Sequence, residues 1–186
     1  MYDRQALIQL VREKALQFGQ FTLASGKTAS YYLDCRKVTL DSVGANLVGE
    51  AVLEHLGENL PEAIGGMAIG ADPITAAVIT LAGRQGKRLS GFIVRKQAKA
   101  HGGGRDVEGP VHSGQTAIVV EDTVTTGGSS LLAIERAEAF GLKVVGVVAI
   151  VDRLEGGGEA FAKRGYPFSS LLTIRDLGVE LPTDPH

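Results

Sequence analysis

The sequence predicts an α/β protein built on an open, doubly wound sheet of about five mainly parallel strands. Short, continuous apolar runs recur from residue 63 onward, as expected for strands that are buried on both faces. Helical patterns separate these runs, and strands that alternate with helices form parallel sheets. The 186 residues, 44% hydrophobic and 22% charged, are typical of one globular domain over 1–186.

The first sixty residues predict two helices with a polar, irregular stretch between them. A first helix, which Asp3 is placed to cap, is indicated by apolar residues at helical spacing: Leu7, Leu10, Val11 and Phe18. A second helix follows Asp41-Ser42, because apolar residues from Val43 to Leu56 share one helical face. The stretch 22–37 between these helices is expected to be irregular.

The remainder of the chain supplies the sheet. Apolar runs predict strands over 63–69, 91–94, 116–120, 144–151 and 171–174. Helices are predicted over 73–81, from the Gly127-Gly128 pair to about Phe140, and over 159–164. Ligands of such sheets bind at the carboxyl ends of the strands. The functional residues are therefore expected where these strands end.

Charge and cysteine content narrow the function classes. Lys plus Arg number 19 and Asp plus Glu 21, a balance that argues against a nucleic-acid-coating protein. A single cysteine, Cys35, permits no internal disulfide, so we expect a cytoplasmic protein. The longest apolar run, 144–151, is too short to span a membrane, and residues 1–4 do not resemble a signal peptide.

The most informative stretch runs from Glu121 to Ser130. Two acids, Glu121 and Asp122, follow a predicted strand, and a Thr-Thr-Gly-Gly-Ser turn opens the next helix. Free N–H groups and the positive end of a helix dipole favour a phosphate. Hydrogen bonds to this phosphate can be added by the hydroxyls of Thr125, Thr126, Ser129 and Ser130. Acids would repel that phosphate, so their expected partners are sugar hydroxyls or a divalent cation. Together these residues suit a ribose 5-phosphate.

Two glycine-rich segments of the sequence permit other interpretations. An ordinary strand-to-helix turn could carry the same Ser and Thr residues, although two acids at the end of a buried strand make this less suitable. The segment Ser25-Gly26-Lys27-Thr28 ends like a nucleotide triphosphate loop, but Phe21 stands where that loop needs glycine. No dinucleotide-binding glycine pattern follows a strand.

The acidic pair with its glycine turn resembles the phosphoribosyl diphosphate motif of type I phosphoribosyltransferases. Residues from about 21 to 174 are similar to the orotate phosphoribosyltransferases in particular. The resemblance implies transfer of ribose 5-phosphate from 5-phosphoribosyl 1-diphosphate, the donor, to orotate, in pyrimidine biosynthesis. It implies that the donor contacts Glu121, Asp122, Thr123, Val124, Thr125, Thr126, Gly127, Gly128 and Ser129.

A basic, glycine-rich segment over 95–106 follows the predicted strand 91–94. Composition alone leaves open a solvated basic hairpin or a lid that closes on a polyanion. The spacing Arg-Lys-x-x-Lys-x-His-Gly is similar to the catalytic loop of orotate enzymes. By that resemblance Arg95, Lys96, Lys99 and His101 bind the diphosphate, and Lys99 and His101 are catalytic. In the family the loop reaches the neighbouring subunit, which implies a homodimer.

A third set of residues is expected to bind the base. Arg153 follows strand 144–151, and a guanidinium offers two parallel donors to a carboxylate such as that of orotate. A lone arginine at a strand end is more often a surface ion pair. The resemblance nevertheless implies that orotate contacts Thr125, Arg153 and Tyr32. The aromatic segment that contains Tyr32 resembles part of the hood that covers the base in this family. We expect residues 1–60 and the C-terminal segment to form this hood.

The remaining expectations concern the metal and the alternatives. The resemblance implies Mg²⁺, held through the donor and water with no direct protein ligand. Ala24 and Asp72-Pro73 stand where the best-known branch has lysine-containing donor contacts, which indicates a subtype.

Two alternative functions stay open. A non-catalytic donor sensor would keep the acidic pair but need no basic segment. A purine phosphoribosyltransferase would have no use for Arg153.

Overall fold

The computed structural model of the protein describes residues 2–22, 28–97 and 106–180. The helices are α1 (Arg4–Lys14), α2 (Arg36–Thr39), α3 (Ser42–Leu56), α4 (Ala71–Arg84), α5 (Gly128–Phe140) and α6 (Gly157–Lys163). The strands are β1 (Leu16–Thr22), β2 (Thr28–Leu33), β3 (Ala63–Met67), β4 (Ser90–Val94), β5 (Val107–Glu108), β6 (Thr116–Val124), β7 (Lys143–Asp152) and β8 (Phe168–Thr173).

The central sheet confirms the predicted architecture, with one more strand than expected. Its six strands lie in the order β5-β4-β3-β6-β7-β8, and all neighbouring pairs are parallel except β4 and β5. The additional strand, β5, has only two residues. A strand of this length has no periodicity, so the sequence did not indicate it.

Helices cover both faces of the sheet, and the core is correspondingly divided into two clusters. Ile118 and Val120 of β6 pack in one cluster with residues of α1, α3 and α4. Ala117 and Val119 pack in the other cluster with residues of α5 and α6. Successive side chains of a strand point to opposite faces. This double burial explains why β6 and β7 are continuous apolar runs and not alternating ones.

The structure confirms the predicted Asp3 cap and a second helix that begins after Asp41, but it corrects the region that follows the first helix. The Asp3 carboxylate accepts the backbone N–H of Ala6 at 3.0 Å, and Asp41 caps α3 in the same way. The first helix, however, ends at Lys14, so Phe18 belongs to β1. The expected irregular stretch contains β2, which pairs antiparallel with β1. Pairing with a distant segment outweighed the local helical spacing.

The N-terminal helix and the C-terminal segment pack together. Leu177 and Val179 lie in the same buried cluster as Leu7 of α1. Arg4 forms an ion pair with Asp176, with 3.0 Å between Nη2 and Oδ1. These elements and the β1–β2 hairpin make up most of the predicted hood, whose function stays a prediction. No helix in the described parts of the chain is both long and apolar enough to cross a membrane.

Candidate active site

Glu121 and Asp122 lie at the edge of the sheet where β6 approaches the start of α4. The strand continues to Val124, so the prediction that it stops before these acids was wrong. Glu121 is 6% exposed, and one of its oxygens, Oε2, accepts the hydroxyl hydrogen of Ser130 at 3.0 Å. A Cβ atom on Gly70 would lie 2.9 Å from Asp122 Oδ1. The β3–α4 loop therefore passes directly beside the acids.

Burial governs the protonation of this acidic pair. Desolvation, and then the charge of the adjacent Asp122, raise the pKa of Glu121. Desolvation also raises the pKa of Asp122, against the backbone hydrogen bond from Thr123 and the charge of Arg36. Glu121 is buried and Asp122 is partly buried, so this carboxylate pair gains from a partner that donates hydrogen bonds. Vicinal sugar hydroxyls and metal-bound water both provide such donors.

The glycine turn follows the acids and opens α5. Gly127, the residue before the helix, has φ 81°, a left-handed conformation that suits glycine. It provides no side-chain cap for the first-turn N–H groups of this thirteen-residue helix. Those groups and the helix dipole suit an anion. Ser130 was expected to serve the same ligand, but its hydroxyl is directed to Glu121.

Thr123 and Val124 make contacts that tie the site to other elements. The Thr123 hydroxyl donates to the sulfur of buried Cys35 at 3.4 Å, and burial raises the pKa of that thiol to about 12. The Val124 carbonyl accepts the backbone N–H of Arg153 at 2.9 Å. Cys35 is therefore an inert, structural thiol in this environment. The donor contacts expected of Thr123, Val124, Thr125, Thr126, Gly128 and Ser129 remain predictions.

Arg153 follows β7 at the same edge of the sheet, as predicted. Its Nε donates to the hydroxyl oxygen of Tyr31 at 2.9 Å, and its Nη2 lies 2.8 Å from Glu155 Oε1. The arginine side chain is 18% exposed. Most of the guanidinium is therefore held by the protein, through Tyr31 and Glu155.

The two tyrosines of β2 have different surroundings. Tyr31 is 8% exposed, whereas Tyr32 is 41% exposed and its ring centroid lies 5.7 Å from that of Phe21. Alternation along a strand places neighbouring side chains on opposite faces. Tyr32 was the predicted base contact, and this role stays a prediction. Sequence reasoning missed Tyr31 as the partner of Arg153, although the alternation could have indicated that only one tyrosine faces the core.

The basic segment is described only in part. Arg95 and Lys96 follow β4, whose neighbour in the sheet is β3, so they lie at the same sheet edge as the acids. Arg95 Nε lies 3.0 Å from Glu108 Oε1, and the Arg136 guanidinium donates to the Arg95 carbonyl. Lys99 and His101, the predicted catalytic residues, lie outside the described residues.

The two sequence departures have different outcomes. Ala24 lies outside the described residues. Asp72 is in the first turn of α4, next to Gly70, and burial raises its pKa. Its Oδ1 is buried and has no hydrogen-bond partner in the described part of the chain. The β3–α4 loop, which passes beside the acidic pair, is therefore followed by a third carboxyl group.

Comparisons with known proteins identify relatives of the whole chain. The chain is 55% identical over 184 residues to an orotate phosphoribosyltransferase of Rhodopirellula baltica, covering 96% of this chain and 95% of that protein. A crystal structure of Mycobacterium tuberculosis orotate phosphoribosyltransferase has a TM-score of 0.84 at 40% identity, covering 95% of this chain and 99% of that one.

A structure of the Mycobacterium tuberculosis enzyme in complex with 5-phospho-α-D-ribosyl 1-diphosphate is also similar. Its TM-score is 0.81 at 35% identity, and the match covers 95% of this chain and 99% of the other. A scan against protein-family models gave no match. The extent and identity of these similarities nevertheless show that the chain belongs to the orotate phosphoribosyltransferase family.

Proposed function

We propose that this protein transfers ribose 5-phosphate from 5-phosphoribosyl 1-diphosphate to orotate, giving orotidine 5′-phosphate and diphosphate for pyrimidine biosynthesis. A bond forms between orotate N1 and the anomeric carbon, while the bond from that carbon to diphosphate breaks. The diphosphate leaves with the bonding electron pair, and N1 loses its proton. The observation that carries the proposal is the convergence of an acidic pair, an uncapped helix start and a held arginine at one sheet edge.

The acids and the turn would hold the sugar phosphate. The Glu121 and Asp122 carboxylates accept the ribose hydroxyls, which replace the water that burial has removed from them. The 5′-phosphate binds the N–H groups that open α5, with Thr125, Thr126 and Ser129 adding hydroxyl donors. This arrangement fixes the anomeric carbon for in-line attack.

Arg153 would select the base. Orotate carries a carboxylate, and a guanidinium can bind it with two parallel hydrogen bonds. Thr125 lies in the turn between β6 and α5. By family resemblance it would be a second orotate contact, and Tyr32 would cover the base from the hairpin. A purine lacks the carboxylate that this arginine would recognise, so the site favours orotate.

The departing diphosphate would be stabilised by the basic segment and by Mg²⁺. Arg95, Lys96, Lys99 and His101 supply positive charge, and His101 can donate a proton to a leaving oxygen. When bound, Mg²⁺ would supply positive charge to the diphosphate, and the Glu121 and Asp122 carboxylates would hold it by accepting hydrogen bonds from its water ligands. By family resemblance the working form is a cytoplasmic homodimer in which each basic segment serves the neighbouring site.

An orotate absorbance assay tests the proposal. Wild-type protein with donor and Mg²⁺ is expected to consume orotate, and Lys99→Ala is expected to lower kcat by roughly a hundredfold, as loss of one transition-state charge partner does. Lys163→Ala, on the exposed last turn of α6, is the matched control and should keep the wild-type rate.

The outcomes separate the parts of the proposal. Tight donor binding without orotate turnover would contradict the enzyme assignment and favour a donor sensor. Turnover with a purine base in place of orotate would contradict the base assignment. Full activity of Lys99→Ala would remove Lys99 from the mechanism and leave the reaction itself in place.

A further inference from the structure

The hydroxyl of Tyr31 contacts the guanidinium of Arg153 although 122 residues separate them. The contact is a 2.9 Å hydrogen bond in which Arg153 Nε donates to the tyrosine oxygen. The arginine carbon Cζ also lies 4.8 Å from the centroid of the Tyr31 ring. The tyrosine therefore contacts the guanidinium twice, through its hydroxyl at Nε and through its ring at Cζ.

Both partners are fixed by their own surroundings. Tyr31 is 8% exposed and lies in the hydrophobic cluster that includes Leu16 and Cys35. The Arg153 backbone is held by the Val124 carbonyl at 2.9 Å. A buried tyrosine has little rotamer freedom left, so its hydroxyl defines one position for Arg153 Nε.

Some of the guanidinium nitrogens of Arg153 have partners within the described part of the protein and one does not. A guanidinium has five N–H groups; here Nε is bound to Tyr31 and Nη2 contacts Glu155 Oε1 at 2.8 Å. Nη1 has no partner among the residues that the structure describes. Burial raises the pKa of Tyr31, with Glu155 adding to the effect and Arg153 opposing it, so the phenol stays neutral.

We propose that Tyr31 is a positioning residue that orients Arg153 for the carboxylate of the base. The tyrosine occupies Nε and leaves the Nη1 end to the ligand, so the arginine need not be ordered when orotate binds. The inference rests on the proposed function, because it assigns Arg153 the orotate carboxylate. It adds Tyr31 to the proposed orotate site as a residue whose hydroxyl does not itself contact the substrate.

Steady-state kinetics of Tyr31→Phe test this role. The substitution keeps the ring and removes the oxygen that accepts from Arg153 Nε. We expect KM for orotate to rise about tenfold, as loss of one hydrogen bond to a charged group predicts, while kcat and KM for the donor change less than twofold. Tyr166→Phe is the matched control, because its hydroxyl binds Glu138 at 2.9 Å and not Arg153.

A double-mutant cycle separates positioning from a general structural effect. Arg153→Lys removes the same hydrogen bond from the arginine side and keeps the charge. If Tyr31 acts through Arg153, adding Tyr31→Phe to Arg153→Lys should change KM for orotate less than twofold. Independent, multiplying effects of the two substitutions would overturn the proposal.

The remaining outcomes are also decisive. Wild-type turnover of orotate with an unchanged KM in Tyr31→Phe would overturn the positioning role and leave the proposed function intact. Absence of orotate turnover in the wild type would instead contradict the function on which the inference rests. A Tyr31→Phe protein that does not fold would assign the hydroxyl a structural role and would overturn the positioning role.

Discussion

The hydrogen bond from Ser130 to Glu121 provides a sharp test of the buried acid in the proposed donor site. Ser130 is 1% exposed and Glu121 is 6% exposed, and their oxygens are 3.0 Å apart. Ser130→Ala removes the donor and leaves the carboxylate with fewer partners in a site that water barely reaches. The cost should depend on whether Glu121 is ionised.

The magnitude follows from the charge of the acceptor. A hydrogen bond to an ionised group contributes about 1.5–3 kcal/mol, and one between neutral groups about 0.5–1.5 kcal/mol. Alanine recovers roughly 0.5 kcal/mol through its helix propensity. Ser130→Ala should therefore lower the free energy of unfolding by about 1–2.5 kcal/mol at pH 8 and by about 0–1 kcal/mol at pH 5. At pH 8 this corresponds to a fall of roughly 2–10 °C in Tm.

Urea denaturation of the wild type and Ser130→Ala at both pH values measures this difference. Ser42→Ala is the control, because Ser42 is an exposed serine in the first turn of α3 and reports helix propensity alone. A cost that is equal at pH 5 and pH 8 would refute the reasoning. KM for the donor should also rise in the variant, since the pKa of Glu121 rises further without the serine.

Two further predictions concern the same sheet edge. Burial and the charge of Asp122 raise the pKa of Glu121 from 4.5 to about 7, so the folded protein binds its proton more tightly than the unfolded chain does. The stability of the wild type should therefore fall as pH rises between these values. The Tm of Glu121→Gln, measured relative to that of the wild type, should rise from pH 5 to pH 7.5. A Tm difference that is the same at both pH values would contradict the burial argument. Gly127→Ala puts alanine into a left-handed backbone conformation, at φ 81°, and places its Cβ 3.0 Å from Phe161 Cζ. We therefore expect the free energy of unfolding to fall by about 2 kcal/mol. Gly156→Ala, at φ 94° with no atom within 4 Å, is expected to show the backbone cost alone, and an equal loss in both variants would remove the Phe161 contact from the account.

Local sequence patterns were sufficient where a structural feature is contiguous in the chain. The continuous apolar runs of β6 and β7 indicated a sheet buried on both faces, and Asp3 and Asp41 indicated helix starts that the structure confirms. The order of acids, turn and helix from Glu121 to Gly128 is likewise a local feature. Each depends on backbone geometry within about ten residues, so the sequence itself determines it.

Elements whose partners are distant in sequence could not be predicted in this way. The residues around Phe18 have helical spacing, yet pairing with β2 makes them a strand. The two-residue strand β5 exists only because β4 offers an edge to it. In both cases a tertiary contact outweighs a local preference.

The candidate site likewise combines features that the sequence predicts with features that depend on the tertiary structure. The sequence by itself determined that Glu121, Asp122 and Arg153 lie near the carboxyl ends of parallel strands, and therefore that they share one sheet edge. Only the tertiary structure decided that Ser130 faces Glu121, that Gly70 lies against Asp122, and that Tyr31 holds Arg153. The physical reason is that hydrogen bonds and close packing depend on distances of a few ångströms between segments, which the one-dimensional pattern of apolar and polar residues does not encode.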